Sequence, residues 1–159
     1  MKPTFVRPAT AADLDYIAHN LRAEDHAEVV AATGIDPRLI LPLAAEGGRE
    51  VYTAGLISNN RAEIVFGYDP FPECPSAAVA WMLSTPVIYD YPVEIAVRSR
   101  ECYDAAHRKY EVLTNFGDER NERHLKWLSW LGFKKLRRIE SFGAESRPFI
   151  EFVSFRPCA

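Results

Sequence analysis

The chain has 159 residues, 48% of them apolar and 26% charged, with a formal net charge of −3. That length suits one domain, here 1–159, with a full hydrophobic core. A sequence pI of about 5.8 gives no global attraction to nucleic acid or to an anionic membrane, so no nucleic-acid partner is expected.

Phe5, Val6 and Arg7 predict a short strand that Pro8 stops. Thr10 or Asp13 then caps a helix whose Leu14, Ile17, Ala18 and Leu21 recur at helical spacing. A second helix is expected over 24–33, ended by Gly34. Beyond the Gly47-Gly48 break, 51–57 and 62–68 read as a hairpin turned at Ser58-Asn59-Asn60. Pro70, Pro72 and Pro75 predict a stiff loop, followed by an apolar strand over 77–83. Pro86 ends that strand, and a long helix over 93–110 sets Ala96, Tyr103, Ala106 and Tyr110 on one face. A strand over 111–116 leads to a tryptophan-bearing helix closed by Gly132, and strands over 134–142 and 149–155 form a last hairpin. The order β-αα-βββ-α-β-α-ββ predicts an α/β chain with a mixed sheet and helices on both faces.

No apolar run approaches membrane-spanning length, and the opening MKPTFVRPAT has no apolar leader segment. Cys74, Cys102 and Cys158 are odd in number and follow no metal or CxxC spacing, which predicts a reducing compartment, no disulfide framework and no metal. Charge is uneven: residues 1–80 carry 6 basic and 11 acidic groups, 81–159 carry 13 and 11. The excess lies in Arg120, Arg123, Lys126, Lys134, Lys135, Arg137 and Arg138. This is either a solvated face or a docking patch for phosphates or an acidic partner.

Two stretches carry a resemblance. "VRPATAADLDYIA" resembles the opening of the GNAT superfamily of N-acetyltransferases, and Asn121 to Phe133 resembles its late helix, opened by Asn and closed by Gly-Phe. Within that superfamily "LRAEDHAEVVAATGIDP", "VAWMLST", "NFGDERN", "WLSWLGF" and "FGAESRPFIEF" are similar to phage and prophage proteins of the gene 13 type of T7-like phages, the internal virion protein A. The resemblance implies a GNAT-like single domain. It further implies a partner in a phage virion or host protein, and a location in host cytoplasm or packaged in the virion.

Acetyl transfer to an amine needs a held diphosphate, a hydrogen bond to the thioester carbonyl, and a base and a proton donor. The superfamily holds the diphosphate with an Arg/Gln-x-x-Gly-x-Gly/Ala loop. Here the region reads "LSTPVIYDYPVEIAVRS", with no glycine between Tyr68 and Phe116. Pro86 and Pro92 remove two more donors, leaving Arg98 and Arg100 as loose charges. The usual Tyr donor position is Leu128. Candidate cofactor contacts are the Met82 and Leu83 amides, Asn115 and Asn121, the last also a good N-cap. Base candidates are Asp118, His124, Glu28, Glu63 and His26. The plainer reading of Asp118 is that it serves the start of the next helix, and that of His124 is a surface imidazole. Leu125, Leu128 and Leu131, widened by Trp127 and Trp130, predict a core stripe, with Trp130 the one placed to meet a partner.

Two functions follow from these residues. One is a degenerate acetyltransferase that acts by binding in virion assembly. The other is an active acetyl-CoA-dependent N-acetyltransferase, which requires an open cleft reaching Met82, Asn115 and Asn121.

Overall fold

In the computed structural model, which describes residues 3–158, β1 (Thr4–Pro8) leads into α1 (Ala11–His19) through a full capping box. Thr10 Oγ1 accepts from the Asp13 amide, and the Asp13 carboxylate accepts from the Thr10 amide. Both orphan donors at the helix start are thus satisfied. The Arg7 guanidinium clamps the same carboxylate, which holds it down at about 2: burial pushes it up, but the bonds from Arg7 and Thr10 outweigh that. Helix α2 (Ala23–Thr33) ends at Gly34, as its sequence predicts. A short α3 (Pro37–Ile40) and two 3-10 turns, all unanticipated, then carry the chain to β2 (Glu50–Leu56).

β2 and β3 (Arg61–Phe71) form the expected hairpin, but β3 and β4 (Cys74–Ser84) are longer than expected. Pro70 and Pro75 lie inside paired strands rather than in a loop, and only Pro72 and Glu73 turn. The ladder tolerates them because β2 pairs with β3 no further than Tyr68 and β5 meets β4 only from Ala77. Pro70 turns its missing N–H to the side where β2 has ended, and Pro75 falls in the register shift next to the turn, outside the paired positions.

Helix α4 (Pro92–Lys109) crosses to β5 (Val112–Asp118), then α5 (Glu122–Leu131), β6 (Lys134–Phe142) and β7 (Arg147–Phe155) complete the chain. The seven strands run β1-β2-β3-β4-β5-β7-β6, so the chain is a mixed α/β domain. Every neighbouring pair is antiparallel except β4 and β5. One core lies under α4 and α5, where Ala106, Tyr110, Leu128, Leu131 and Phe133 meet Ala78, Leu113, Ile150 and Phe152. The other lies under α1, where Leu14, Ile17 and Ala18 meet Val51, Ala62 and Val65. Among the described residues no helix is long and apolar enough to cross a membrane.

Candidate functional site

Among the described residues β4 and β5 are the only parallel pair, and they pair only at Ala77 with Val112, Ala78 with Leu113, and Val79 with Thr114. Beyond that they part while each runs on, to Ser84 and to Asp118. A strand edge left this way carries main-chain groups that need partners, and alternation identifies which residues face the gap. The Thr85 amide donates to Glu63 O on the β3 side, while Ser84 O accepts from the Arg22 amide on the other. Ala80, Met82 and Ser84 therefore turn their main-chain groups into the gap. On β5 the Asp118 amide donates to Glu28 across the gap, and the Glu119 amide to Pro148 O of β7 on the other side, so Phe116 and Asp118 face β4.

Cavities lie on both faces of the sheet at this gap. One of about 90 Å³ sits under α4 and α5, lined by Phe66, Tyr68, Ile95, Tyr103, Leu128 and Phe133 among others. The second, about 430 Å³, lies on the α2 and α3 face against Glu28, Ile40, Phe116, His124 and Phe149. Ala80, Trp81, Met82 and Asn115 line both. Trp81 lines both cavities, Trp127 and Leu128 only the smaller one, and Asn121, which the expected open cleft had to reach, lines neither. Trp81 lies across Gly67, where an added Cβ would come within 2.7 Å of the indole.

At the apex, Asn115 Nδ2 donates to Ala80 O at 2.8 Å. Its Oδ1 is buried without a hydrogen-bond partner, as are both ring nitrogens of His124 and the indole N–H of Trp127. Buried polar atoms rarely go unpaired, and these four atoms border the gap or its cavities. His124 is a buried side chain, not a surface imidazole; its Nδ1 lies 3.4 Å from Glu28 Oε1.

The far end of the gap holds a cluster of buried polar groups that sequence reading missed. Arg22, at 4% exposure, forks onto Asp25, at 0%, with Nε and Nη2 at 2.7 and 2.6 Å from its carboxylate. Asp25 Oδ2 accepts from the Ser84 amide at 2.9 Å. Asn121 Nδ2 donates to Asp25 Oδ1 and to Glu28 Oε2. Tyr89 O–H accepts from Arg22 Nη1. Burial pushes the Arg22 guanidinium down, but its bonds and proximity to Asp25 more than reverse this and keep it charged. The available signal was the Arg22, Asp25, Glu28 spacing, three residues apart on one helix face.

Placement of the other candidates follows. The Leu83 amide faces β3, opposite Val65, which leaves Met82 as the amide in the gap. Asn121 makes no N-cap bond. Asp118 accepts from the Arg120 amide and guanidinium; burial pushes its carboxyl up, yet Arg120 holds it below the usual range, which leaves a weak base. Glu63 is buried and accepts from Thr85 Oγ1 at 2.5 Å. His26 is half-buried on α2 and lines neither cavity. The Cys102 thiol lines the smaller cavity but is pushed up by burial, which disfavours thiolate chemistry.

The connection from β4 to α4 does not form a diphosphate cradle. Residues Pro86–Asp90 form a 3-10 turn. Thr85 Oγ1 accepts from the Val87 amide, Thr85 O from Ile88 and Ile88 O from Tyr91, so the turn's amides are used internally. Glu94 adds negative charge in the first turn of α4, opposing an anion at that helix start. Arg98 is held by Thr4 and Glu101, and Arg100 caps α5 through Leu131 O and Trp130 O. The basic patch is largely paired as well: Arg120 with Asp118, Lys126 with Glu122, Arg137 with Glu151, Arg138 with Glu119 and Glu140. The residues present do not fit the diphosphate of acetyl-CoA.

Solved structures share this architecture. The structure of yncA from Salmonella typhimurium with its cofactor acetyl-CoA is 15% identical, covers 98% of this chain and 95% of its own, and superposes at a TM-score of 0.71. A GNAT-family acetyltransferase from Bacillus anthracis is 10% identical over 96% and 95%, with a TM-score of 0.71. The ribosomal-protein-alanine N-acetyltransferase of Brucella melitensis is 17% identical over 95% and 99%, with a TM-score of 0.68. No family model and no curated protein matches the chain by sequence. The fold is that of the GNAT acetyltransferases; the likeness is one of fold alone.

Proposed function

We propose that this GNAT-fold chain is a degenerate acetyltransferase that works by binding, without a diphosphate-anchored acetyl-CoA. One observation carries the reading: the segment from Thr85 to Pro92 is a closed, proline-bounded turn that spends its own amides where a cofactor diphosphate would need them. Leu128, buried in the core at the usual proton-donor position, agrees with it. The setting we propose is a phage- or prophage-encoded component of virion assembly, or an internal virion protein. Its support is the resemblance of the five sequence segments to gene 13-type proteins, and its partner would be a virion or host protein.

A second reading has its own observation. The two cavities meet at Ala80, Met82 and Asn115, an arrangement through which an acyl donor and an amine could approach from opposite faces. This is the active N-acetyltransferase, with acetyl-CoA held some other way. A thiol-release assay with acetyl-CoA and a panel of amines and lysine peptides separates the two. The binding reading expects no release above the no-protein rate, and steady turnover on any amine contradicts it.

A further inference from the structure

We propose that the start of α2, from Arg22 to Glu28, is a built-in occupant of the gap between β4 and β5, standing where a linear, amide-bearing ligand would otherwise pair with the two open strand edges. The inference rests on the reading that this fold does not anchor acetyl-CoA, and it names what has taken the cofactor arm's place.

The pairing is strand-like on the β4 side. Ser84 O accepts from the Arg22 amide at 3.0 Å, and the Ser84 amide donates to Asp25 Oδ2 at 2.9 Å. One residue of β4 thus has both main-chain groups satisfied by α2, as a neighbouring strand would satisfy them. On the β5 side the Asp118 amide donates to Glu28 Oε2 at 3.0 Å. Asn121 ties the two halves together, from Asp25 Oδ1 at 3.2 Å to Glu28 Oε2 at 3.1 Å. Arg22, Asp25, Glu28 and Asn121 are all at least nine-tenths buried. Buried charges persist only where paired and hydrogen-bonded, and here the paired groups span the two edges.

The apex is closed independently, by Asn115 to Ala80 O. Between the two closures one residue on each edge, Met82 and Phe116, faces the gap, and no described hydrogen bond reaches either from across it. A strand advances about 3.3 Å per residue, so this free edge takes a single amide. An arm with two successive amides, as in pantetheine, needs more.

The test combines hydrogen exchange with titration of pantetheine, which has both amides and no diphosphate, and of acetyl-CoA. In the native chain the Ser84 and Asp118 amides are expected to be protected, and pantetheine to give no binding heat at 1 mM or below (roughly the weak end of measurable affinity). In Arg22→Ala/Asp25→Ala, which removes the ion pair whole, the Ser84 amide is expected to exchange at least about tenfold faster. The Leu83 amide, on the β3 ladder, stays protected, and pantetheine now binds. Asp25→Asn, which keeps size and loses charge, gives the same direction of change if the double variant does not fold. Pantetheine binding to the native chain would overturn the proposal. So would a folded variant that keeps Ser84 protected or takes no pantetheine. Acetyl-CoA binding without pantetheine binding would instead overturn the functional reading and leave the occupied gap standing, since the nucleotide would then bind outside it.

Discussion

Thr10 shows how far a single residue can be read. A Thr with Asp three positions on, ahead of an apolar period, is a capping signature, and the structure forms it. Thr10→Ala is expected to cost about 1 kcal/mol, read as a lower denaturation midpoint with an unchanged m-value. His107 gives a pH dependence. Its Nε2 lies 2.9 Å from Ser154 Oγ and its Nδ1 3.2 Å from Tyr110 O, while Tyr103 bonds the same Ser154. Burial pushes this imidazole below its ordinary value and nearby Arg156 adds to that, against the Tyr110 carbonyl and Asp104. The unfolded chain therefore binds the proton first as pH falls through about 6.5. The stability of the neutral form is present above that pH and is lost below it. Thermal melts from pH 8 to 5 should show the decline, and His107→Gln should flatten it; an unchanged slope would contradict the assignment. The residues that sequence reading placed worst are His124, Arg22 and Asp25. Nothing in their local sequence marks them as buried, and only the tertiary approach of α2 to the ends of β4 and β5 buries them.

Among the elements, α5 was the most legible. Leu125, Leu128 and Leu131 mark one face, and the structure buries Leu128 and Leu131 almost completely while Trp130 remains 51% exposed. Leu128→Ala should cost about 2–5 kcal/mol, whereas Trp130→Ala should stay within about 0.5 kcal/mol; urea unfolding of the two variants checks both. Equal losses would mean that Trp130 is part of the core. Gly132 ends the helix at φ +116, and an added Cβ would lie 3.2 Å from the Tyr103 hydroxyl. The β3–β4 hairpin was the least legible, because prolines signal a loop until one knows which strand sides lack a neighbour. The short α3 and its flanking 3-10 turns carry too few residues for a period to show.

For the whole molecule, the order of elements was enough to give a mixed sheet with helices on both faces, and structural neighbours place that sheet in the GNAT fold. What could not be read is where β4 and β5 part. Their register joins residues 35 apart, Ala77 to Val112, and no local pattern encodes it. That parting leaves two edges open, and the chain closes both ends of the gap itself. The absence of glycine between Tyr68 and Phe116 was visible beforehand, and in the structure the region holds a 3-10 turn capped by Thr85 and opened by Pro86.

Isothermal titration of the purified chain with acetyl-CoA and with CoA, at low and at moderate salt, tests the central claim most directly. The account predicts no heat, or weak heat at low salt that disappears as salt screens the charges. Binding at or below about 10 μM, worth roughly 7 kcal/mol, that survives the salt change would contradict it and establish a formed cofactor site.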